Sequence, residues 1–247
     1  MDEHGSLNAA LERQSPIPLY YQLKQLLAAR ITAGELKPDD MLPTEEELQE
    51  QYGLSRTTVR QALRELELEG LITRFRGRGT FVAKPKLSHG LAPHRSLTQY
   101  LRDQGAVPGW RVLSSELRLP PGEVAQALAV PAGANIFYLE RLRLADDEPI
   151  GYHMAYVAPL LIPYIDMTRL ASGGSLAYLE GSGRLEKSKA HRIIEAVAAP
   201  EEIADLLEID AGSPMLSIRR TTLSPTGVPF EYMRALYRGD RLQYHIV

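Results

Sequence analysis

The 247-residue chain contains no cysteine, which excludes a disulfide framework, a thiolate nucleophile and a cysteine-based zinc site. It also lacks an apolar run near the ~18–20 residues that span a membrane, and its acidic start lacks the apolar segment of a secretory signal. We therefore expect a cytoplasmic protein with no membrane partner. A hydrophobic fraction of 44% and a charged fraction of 24% fit a folded globular chain.

The chain has no overall basic charge, since its formal net charge is −3, but its charges are unevenly distributed. Residues 35–50 carry seven acidic residues and one basic residue, whereas residues 52–90 carry eight basic and three acidic residues. A local basic stretch indicates a surface for a polyanion. Taken alone, however, the charge pattern favours a solvated charged face over a polyanion-binding surface.

Two short helices joined by a glycine turn are predicted inside this region. Thr44 and Glu47 have the spacing of a capping box, and Gly53 ends the first helix. Ser55 is a candidate N-cap of the next helix, which Gly70 ends. The apolar stripe of this helix consists of Val59, Ala62, Leu63 and Leu66. The pattern matches a helix-turn-helix.

The opposite face of the second helix carries side chains that can read DNA. Arg56, Arg60 and Arg64 recur every four residues and therefore line one side. Arginine can grip guanine, glutamine can read adenine, and hydroxyl groups can bind phosphates. The candidate DNA-binding residues of this helix are Ser55, Arg56, Thr57, Thr58, Arg60 and Gln61.

A basic hairpin is predicted directly after this helix, with strands at residues 71–74 and 80–83. The two glycines of its turn permit a tight bend, and Arg76 and Arg78 supply cations, which suits a probe of the minor groove. Alone, an exposed turn without function is the simpler interpretation. Because a helix-turn-helix precedes it, we expect a wing that places Arg76, Arg78 and Gly79 at the DNA.

Residues 16–84 resemble the DNA-binding domain of the GntR family of bacterial transcription regulators, and residues 1–15 precede it as a tail. The resemblance rests on four segments: Pro18 to Leu23, Leu42-Pro43-Thr44-Glu45, Leu54 to Leu63 and Gly77 to Val82. It places the family's DNA contacts on Ser55, Arg56, Thr58, Arg60 and Gly79. Glu46 departs from the family, in which many members have a base-contacting arginine. A carboxylate there repels phosphate, so the operator need not match the commonest family half-site.

The rest of the chain predicts a linker at residues 85–96 and an α+β domain with a mostly antiparallel sheet at residues 97–247. Helices are expected at 97–104, 121–128 and 200–207, and extended segments at 111–119, 135–144, 150–157, 215–223 and 229–237. Two motifs, residues 139–150 and 229–241, resemble the UTRA effector-binding domain of the HutC-type branch. That fold is related to chorismate lyase, and the order of elements resembles members that bind phosphorylated amino sugars.

Arg141 and Arg143 lie two residues apart on a predicted strand, so they share a face where two guanidinium groups can grip a phosphate or carboxylate. From spacing alone, two solvated arginines are the simpler interpretation, but the resemblance implies an anion grip. The other implied contacts are Ser96 and Thr98 for the phosphate, and Ser175, Glu231 and Tyr237 for the sugar. Without the resemblance, the last three fit an N-cap, a cross-strand ion pair and a half-buried aromatic.

His153 departs from the amino-sugar sensors, which usually have glutamate at this position. A carboxylate suits an ammonium or amide donor, whereas histidine offers a donor or a cation. We therefore expect the phosphate grip to persist while the sugar differs, so that the effector need not be glucosamine 6-phosphate.

Together these patterns predict a homodimeric DNA-binding repressor that a phosphorylated sugar or other small anionic metabolite releases from operator DNA, without a cofactor or metal. A carboxylate such as urocanate is the alternative effector. A chorismate-lyase-like enzyme is disfavoured because the six histidines form no metal-spaced pair, and because no serine-nucleophile pattern or glycine-rich phosphate loop is present. An architectural DNA-binding protein without a ligand is disfavoured by the retained arginine, glutamate and tyrosine set.

Overall fold

The computed structural model describes residues 11–75, 78–84, 86–90, 96–183 and 185–245. The chain divides into two compact units between Pro85 and Lys86. In its described part, the first unit consists of helices followed by a two-stranded antiparallel sheet. These elements are α1 (Leu19–Thr32), α2 (Glu45–Tyr52), α3 (Arg56–Leu68), β1 (Ile72–Phe75) and β2 (Gly79–Val82).

Local signals set the ends of α2 and α3. The Thr44 hydroxyl accepts a hydrogen bond from the Glu47 backbone, and the Glu47 carboxylate accepts one from the Thr44 backbone, which completes the capping box. Gly53 ends α2 in the left-handed conformation at φ +61°. Ser55 caps α3 by accepting from the Thr58 backbone N–H. These two caps fix the turn between the helices.

The apolar stripe of α3 forms the core of the first unit. Val59, Ala62, Leu63 and Leu66 are each at most 1% exposed and pack with residues of α1 and α2. Burial of each leucine side chain contributes about 1.5–3 kcal/mol, so the stripe fixes the face that α3 turns to solvent.

A six-stranded antiparallel sheet forms the centre of the second unit. Its strands are β4 (Pro108–Arg118), β5 (Ile136–Ala145), β6 (Glu148–Val157), β7 (Lys189–Ala198), β8 (Pro214–Leu223) and β9 (Pro229–Arg238). Their spatial order is β4-β5-β6-β9-β8-β7. A separate parallel pair joins β3 (Leu87–Gly90) to β10 (Leu242–His245). The predicted α+β fold with a mostly antiparallel sheet is confirmed.

Short helices complete the second unit. The α-helices are α4 (Leu97–Asp103), α5 (Gly122–Ala127) and α6 (Glu201–Leu207), and 3₁₀ helices occupy Pro159–Tyr164, Met167–Arg169 and Ala177–Ser182. Residues 159–182, which contain the three 3₁₀ helices and are called the 3₁₀ segment below, lie with α4 on the sheet face that carries Arg141 and Arg143. Helices α5 and α6 pack on the other face. The two arginines therefore lie between a sheet and the elements that cover it.

Two segments differ from the sequence expectation. Residues 87–90, inside the predicted linker, form β3 and pair with the distant strand β10. Strand β7 was not predicted, because it is an edge strand whose mostly exposed side chains lack the apolar alternation of a buried strand.

Candidate DNA-binding surface and effector site

The solvent face of α3 presents the predicted DNA-reading side chains. The side chains of Arg56 and Arg60 are 73% and 62% exposed. An open groove runs along this face, lined by Arg56, Thr57, Arg60, Gln61, Arg64, Glu67 and Arg74. Ser55 and Thr58 lie at the start of the helix, where their hydroxyl groups are 2.8 Å apart. The structure therefore brings Arg56, Thr57, Arg60 and Gln61 onto one accessible face, and it places Ser55 and Thr58 in the cap at the start of the helix.

The Glu45 carboxylate, in the first turn of α2, lies among three arginines of the same unit. Its oxygens are 3.7 Å from Arg56 Nε, 4.0 Å from Arg60 Nε and 3.4 Å from Arg74 Nη1. Sequence reasoning did not single out Glu45 beyond its place in the family motif. Its contacts join α2, α3 and β1, which sequence spacing alone does not reveal.

The hairpin of β1 and β2 corresponds to the predicted wing. Arg78 is exposed, and its guanidinium group lies 5.4 Å from the centre of the Phe75 ring. Gly79 has φ +119°, and a Cβ atom there would lie 3.3 Å from Met41 Sδ. A larger residue at this position would be strained by its backbone conformation. Arg76 lies outside the described residues.

In the second unit, Arg141 and Arg143 are buried beside the only tryptophan of the chain. Both residues are 1% exposed, and their guanidinium carbons lie 4.0 and 4.5 Å from the centre of the Trp110 ring. The expectation of a shared strand face is met, and neither arginine is solvated. Cation–π contact stabilises the two charges in part.

Backbone oxygens of the 3₁₀ segment hold Arg141. The guanidinium donates to the Leu170 carbonyl at 2.7 Å and to the Ser175 carbonyl at 2.9 Å. Arg143 donates instead to the Thr98 hydroxyl at 2.9 Å, which in turn donates to the Gly173 carbonyl.

Both guanidinium groups retain unused donors. Arg141 Nε, Arg143 Nε and Arg143 Nη1 are buried and have no hydrogen-bond partner among the described residues. Over the same residues, neither guanidinium forms an ion pair with a carboxylate. The site thus holds two buried positive charges whose hydrogen-bonding capacity is only partly used.

The buried carboxylate of this site, Glu231, already has hydrogen-bond partners within the protein. Its Oε1 accepts from Arg220 Nη2 at 2.9 Å, and its Oε2 accepts from Thr222 at 2.6 Å and from Arg220 Nε at 3.3 Å. Arg220 also donates to the Ser175 hydroxyl at 3.0 Å. Burial lowers the pKa of Arg220, but the charge and the hydrogen bonds of Glu231, together with Tyr178 and Tyr237, outweigh burial and leave the pKa raised. Glu231 therefore balances Arg220 rather than the arginine pair on β5.

His153 and Tyr237 form a buried hydrogen-bonded pair beside the arginines, with 2.7 Å between Nε2 and the phenol oxygen. Burial lowers the pKa of His153 well below its usual value, and the charges of Arg141 and Arg143 lower it further. The imidazole is therefore neutral, and its Nδ1 has no partner within the described part of the chain. Burial also raises the pKa of Tyr237 to about 12.

Desolvation also acts on the arginine pair. Burial lowers the pKa of Arg141, and it lowers the pKa of Arg143 to about 10. Both groups still carry their charge at neutral pH, but the charged form is destabilised. An anion between them would relieve this cost.

The structure brings all but one of the predicted effector residues into a contact network. Its members are Thr98, Arg141, Arg143, His153, Ser175, Glu231 and Tyr237. The described contacts of Ser96 lie outside it, since Ser96 is exposed and caps α4 by accepting from the Gln99 backbone. Ser175 is not the N-cap of the next 3₁₀ helix, since Leu176 holds that position, and its hydroxyl accepts from Arg220 instead.

Sequence reasoning missed Trp110, Arg220 and Thr222. The β8–β9 hairpin offered a signal for the last two, because its register sets Thr222 opposite Glu231 and Arg220 two residues further along the same face. Trp110 offered none, since its contacts with the arginines depend on the pairing of β4 with β5.

Two other kinds of site were sought in the described residues. No group of three or more histidine, cysteine, aspartate or glutamate side chains there could hold a metal ion. None of the helices in the same residues combines the length and apolar character needed to cross a bilayer.

A winged helix-turn-helix joined to an antiparallel sheet domain defines a DNA-binding regulator of transcription. Residues 19–82 match the bacterial regulatory proteins of the gntR family, and residues 103–243 match the UTRA domain. The chain therefore belongs to the GntR family, in its UTRA-containing, HutC-type branch.

Individual relatives agree with this assignment. The chain is 38% identical to the HTH-type transcriptional repressor NagR of Bacillus subtilis, with 95% of this chain and 96% of NagR covered. It is 34% identical to the histidine utilization repressor of Klebsiella aerogenes, with 93% and 94% covered. The crystal structure of PhnF from Mycobacterium smegmatis matches with a TM-score of 0.58 and 28% identity, covering 92% of this chain and 97% of PhnF. The first two relatives are named as repressors and not as enzymes.

Proposed function

We propose that this protein is a homodimeric repressor, acting in the cytoplasm, that a small anionic metabolite releases from its operator. A phosphorylated sugar is the first candidate for that metabolite. The observation that carries the proposal is the buried pair Arg141 and Arg143, whose donors are partly unused and whose charges lack a carboxylate partner among the described residues.

The charge balance of the site supports an anionic ligand. Arg141, Arg143 and Arg220 are buried or nearly so, while Glu231 pairs with Arg220 and Thr222. An unpaired buried cation is costly, and a phosphate or carboxylate can pair with two guanidinium groups through several charge-assisted bonds. The aromatic faces of Trp110 and Tyr237 would line the same site.

Repression is supported by the relatives. NagR and the histidine utilization repressor are both named as repressors, and each aligns over more than nine-tenths of this chain. The GntR family typically binds operator DNA as a dimer. A dimer of this chain would require an operator with two-fold symmetry. Light scattering would measure the molar mass of the protein in solution and so test whether it is a dimer.

The DNA-reading role of α3 can be tested with Arg60→Ala. We expect a roughly 5- to 150-fold loss of affinity for a selected operator duplex at constant salt, because a base contact of this kind is worth about 1–3 kcal/mol. Arg30→Ala is the matched control, since Arg30 is an arginine of α1 paired with Glu35. Unchanged operator affinity of Arg60→Ala would contradict the assignment of α3.

A thermal-shift panel tests the effector class. Phosphorylated hexoses and amino sugars would be compared with their unphosphorylated parents and with carboxylates such as urocanate. A ligand at ~100 times its Kd stabilises the folded protein by about 2.7 kcal/mol, which raises the melting temperature by roughly 5–10 °C for a domain of this size. A shift with phosphosugars only supports the proposal, and a shift with carboxylates only favours the alternative effector.

Two arginine variants show whether the response comes from this site. Arg143→Met removes a guanidinium with unused donors, so the stabilisation by the ligand should be lost. Arg111→Met removes an exposed arginine on the neighbouring strand β4 and should keep the full shift. An equal response of both variants would place the ligand elsewhere.

Ligand control of DNA binding is tested by adding the stabilising ligand to the protein–operator complex. Coupling of about 1–3 kcal/mol would weaken operator affinity some 5- to 150-fold. Arg143→Met should bind the operator normally and no longer respond to the ligand. Loss of operator binding by this variant would contradict the division of labour between the two units.

A further inference from the structure

We propose that Glu45 is a positioning residue that sets how Arg56 and Arg60 are presented to base edges, and that it thereby governs sequence discrimination more than overall affinity. The proposal rests on the assignment of α3 as the DNA-reading helix. Glu45 acts through the arginines and is not itself a DNA contact.

The first argument is geometric. One carboxylate faces both arginines, since Glu45 Oε2 lies 3.7 Å from Arg56 Nε and Glu45 Oε1 lies 4.0 Å from Arg60 Nε. The arginine side chains are 73% and 62% exposed, whereas the glutamate side chain is 30% exposed. The carboxylate is therefore the more enclosed partner, and the two guanidinium groups are the more exposed ones.

The second argument concerns what holds Glu45. It is the first residue of α2, whose start is fixed by the capping box of Thr44 and Glu47, and its carbonyl accepts from Gln49 Nε2 at 3.0 Å. Arg74 of β1 donates to Glu45 Oε1 at 3.4 Å. Helix α2 and strand β1 thus hold the carboxylate through contacts that involve neither Arg56 nor Arg60.

The third argument comes from the physics of base reading. Discrimination requires an arginine aligned with a guanine edge, and a long flexible side chain pays an entropic cost to align. A fixed carboxylate reduces that cost before DNA arrives. Its negative charge also repels phosphates, which weakens binding to every sequence. The first effect increases the ratio of specific to non-specific affinity, and the second lowers the affinity for every sequence without changing that ratio.

Glu45→Gln keeps the shape of the side chain and removes its charge. We would select an operator from random duplexes with the unaltered full-length protein, and then measure affinity for that operator and for a scrambled duplex at fixed salt. Non-specific affinity should rise about 3- to 10-fold and the specificity ratio should fall about tenfold. Glu50→Gln is the control, because it removes the same charge from α2 at an exposed position for which the described residues show no arginine contact. It should leave the ratio within about twofold.

Glu45→Asp separates charge from position, because it keeps the charge and shortens the reach. It should lower the ratio without raising non-specific affinity. In an Arg60→Ala background, Glu45→Gln should lower the ratio much less than in the unaltered protein, since its effect runs partly through Arg60.

Three outcomes would overturn the proposal. The first is an unchanged ratio in Glu45→Gln, and the second is an equal fall in Glu50→Gln. The third is the full effect of Glu45→Gln persisting when Arg56 and Arg60 are both alanine. If the unaltered protein enriches no sequence at all, the DNA-reading role of α3 fails as well, so the two failures are distinguishable.

Discussion

Arg143→Met should leave the ligand-free protein as stable as before, or slightly more stable, although it replaces a buried, hydrogen-bonded residue. The Arg143 guanidinium is 1% exposed, two of its three nitrogens lack partners among the described residues, and no carboxylate there pairs with it. The Thr98 hydroxyl would keep its bond to the Gly173 carbonyl. Methionine has a similar length and no charge to desolvate.

The expected magnitude follows from opposing contributions. Burial lowers the pKa of Arg143 to about 10. This pKa lies well below that of an arginine in water, so keeping the buried group charged costs about 3 kcal/mol. Against this, the bond to Thr98 contributes about 1.5 kcal/mol and the contact with Trp110 about 0.5–1 kcal/mol. The net expectation is a gain of up to about 1 kcal/mol for Arg143→Met.

Urea denaturation of the full chain, followed by tryptophan fluorescence, measures this change. Trp110, the only tryptophan, lies beside Arg143 and so reports on the second unit. Arg111→Met, on the exposed face of β4, provides the baseline for an arginine-to-methionine change. A loss of more than about 2 kcal/mol in Arg143→Met would refute the reasoning, because it would mean that the buried charge is stabilised by the protein itself.

Two further predictions concern His153 and its neighbours. Because the pKa of His153 is lowered in the folded protein, the unfolded chain binds the extra proton, and stability falls as pH drops below ~6.5. Between about pH 7.5 and 5.5, wild type should lose about 1.4 kcal/mol more than His153→Gln, and parallel curves in urea titrations would contradict this. Gly151→Ala should destabilise by about 1–3 kcal/mol, since its Cβ would lie 2.5 Å from Tyr237 Cδ1. Gly122→Ala, where an added Cβ meets nothing within 4 Å, should be near neutral, and equal effects of the two would rule out the clash.

Most of the first unit could be predicted from sequence because its signals are local. Caps at Thr44 and Ser55 lie within three residues of their partners, and the stripe of α3 repeats at helical spacing. The shared face of Arg141 and Arg143 follows equally from the two-residue period of a strand.

The environment of that face could not be predicted, because it is assembled by long-range contacts. Thr98 reaches Arg143 from a helix 45 residues earlier. The Leu170 carbonyl that binds Arg141 lies 29 residues later, directly after the short 3₁₀ helix Met167–Arg169, in a segment without a clear periodic pattern. The burial and the unused donors of the arginines follow from these contacts. Sequence reasoning places β3 in the linker for the same reason, since its partner β10 is far away in sequence.

The contacts of the 3₁₀ segment with Arg141 have a consequence for how this site can change during evolution. Both contacts are made by main-chain carbonyls, those of Leu170 and Ser175. A substitution at either position exchanges the side chain and leaves the carbonyl in place. The segment can therefore acquire new side chains, and with them new ligand preferences, while it continues to hold Arg141 in position.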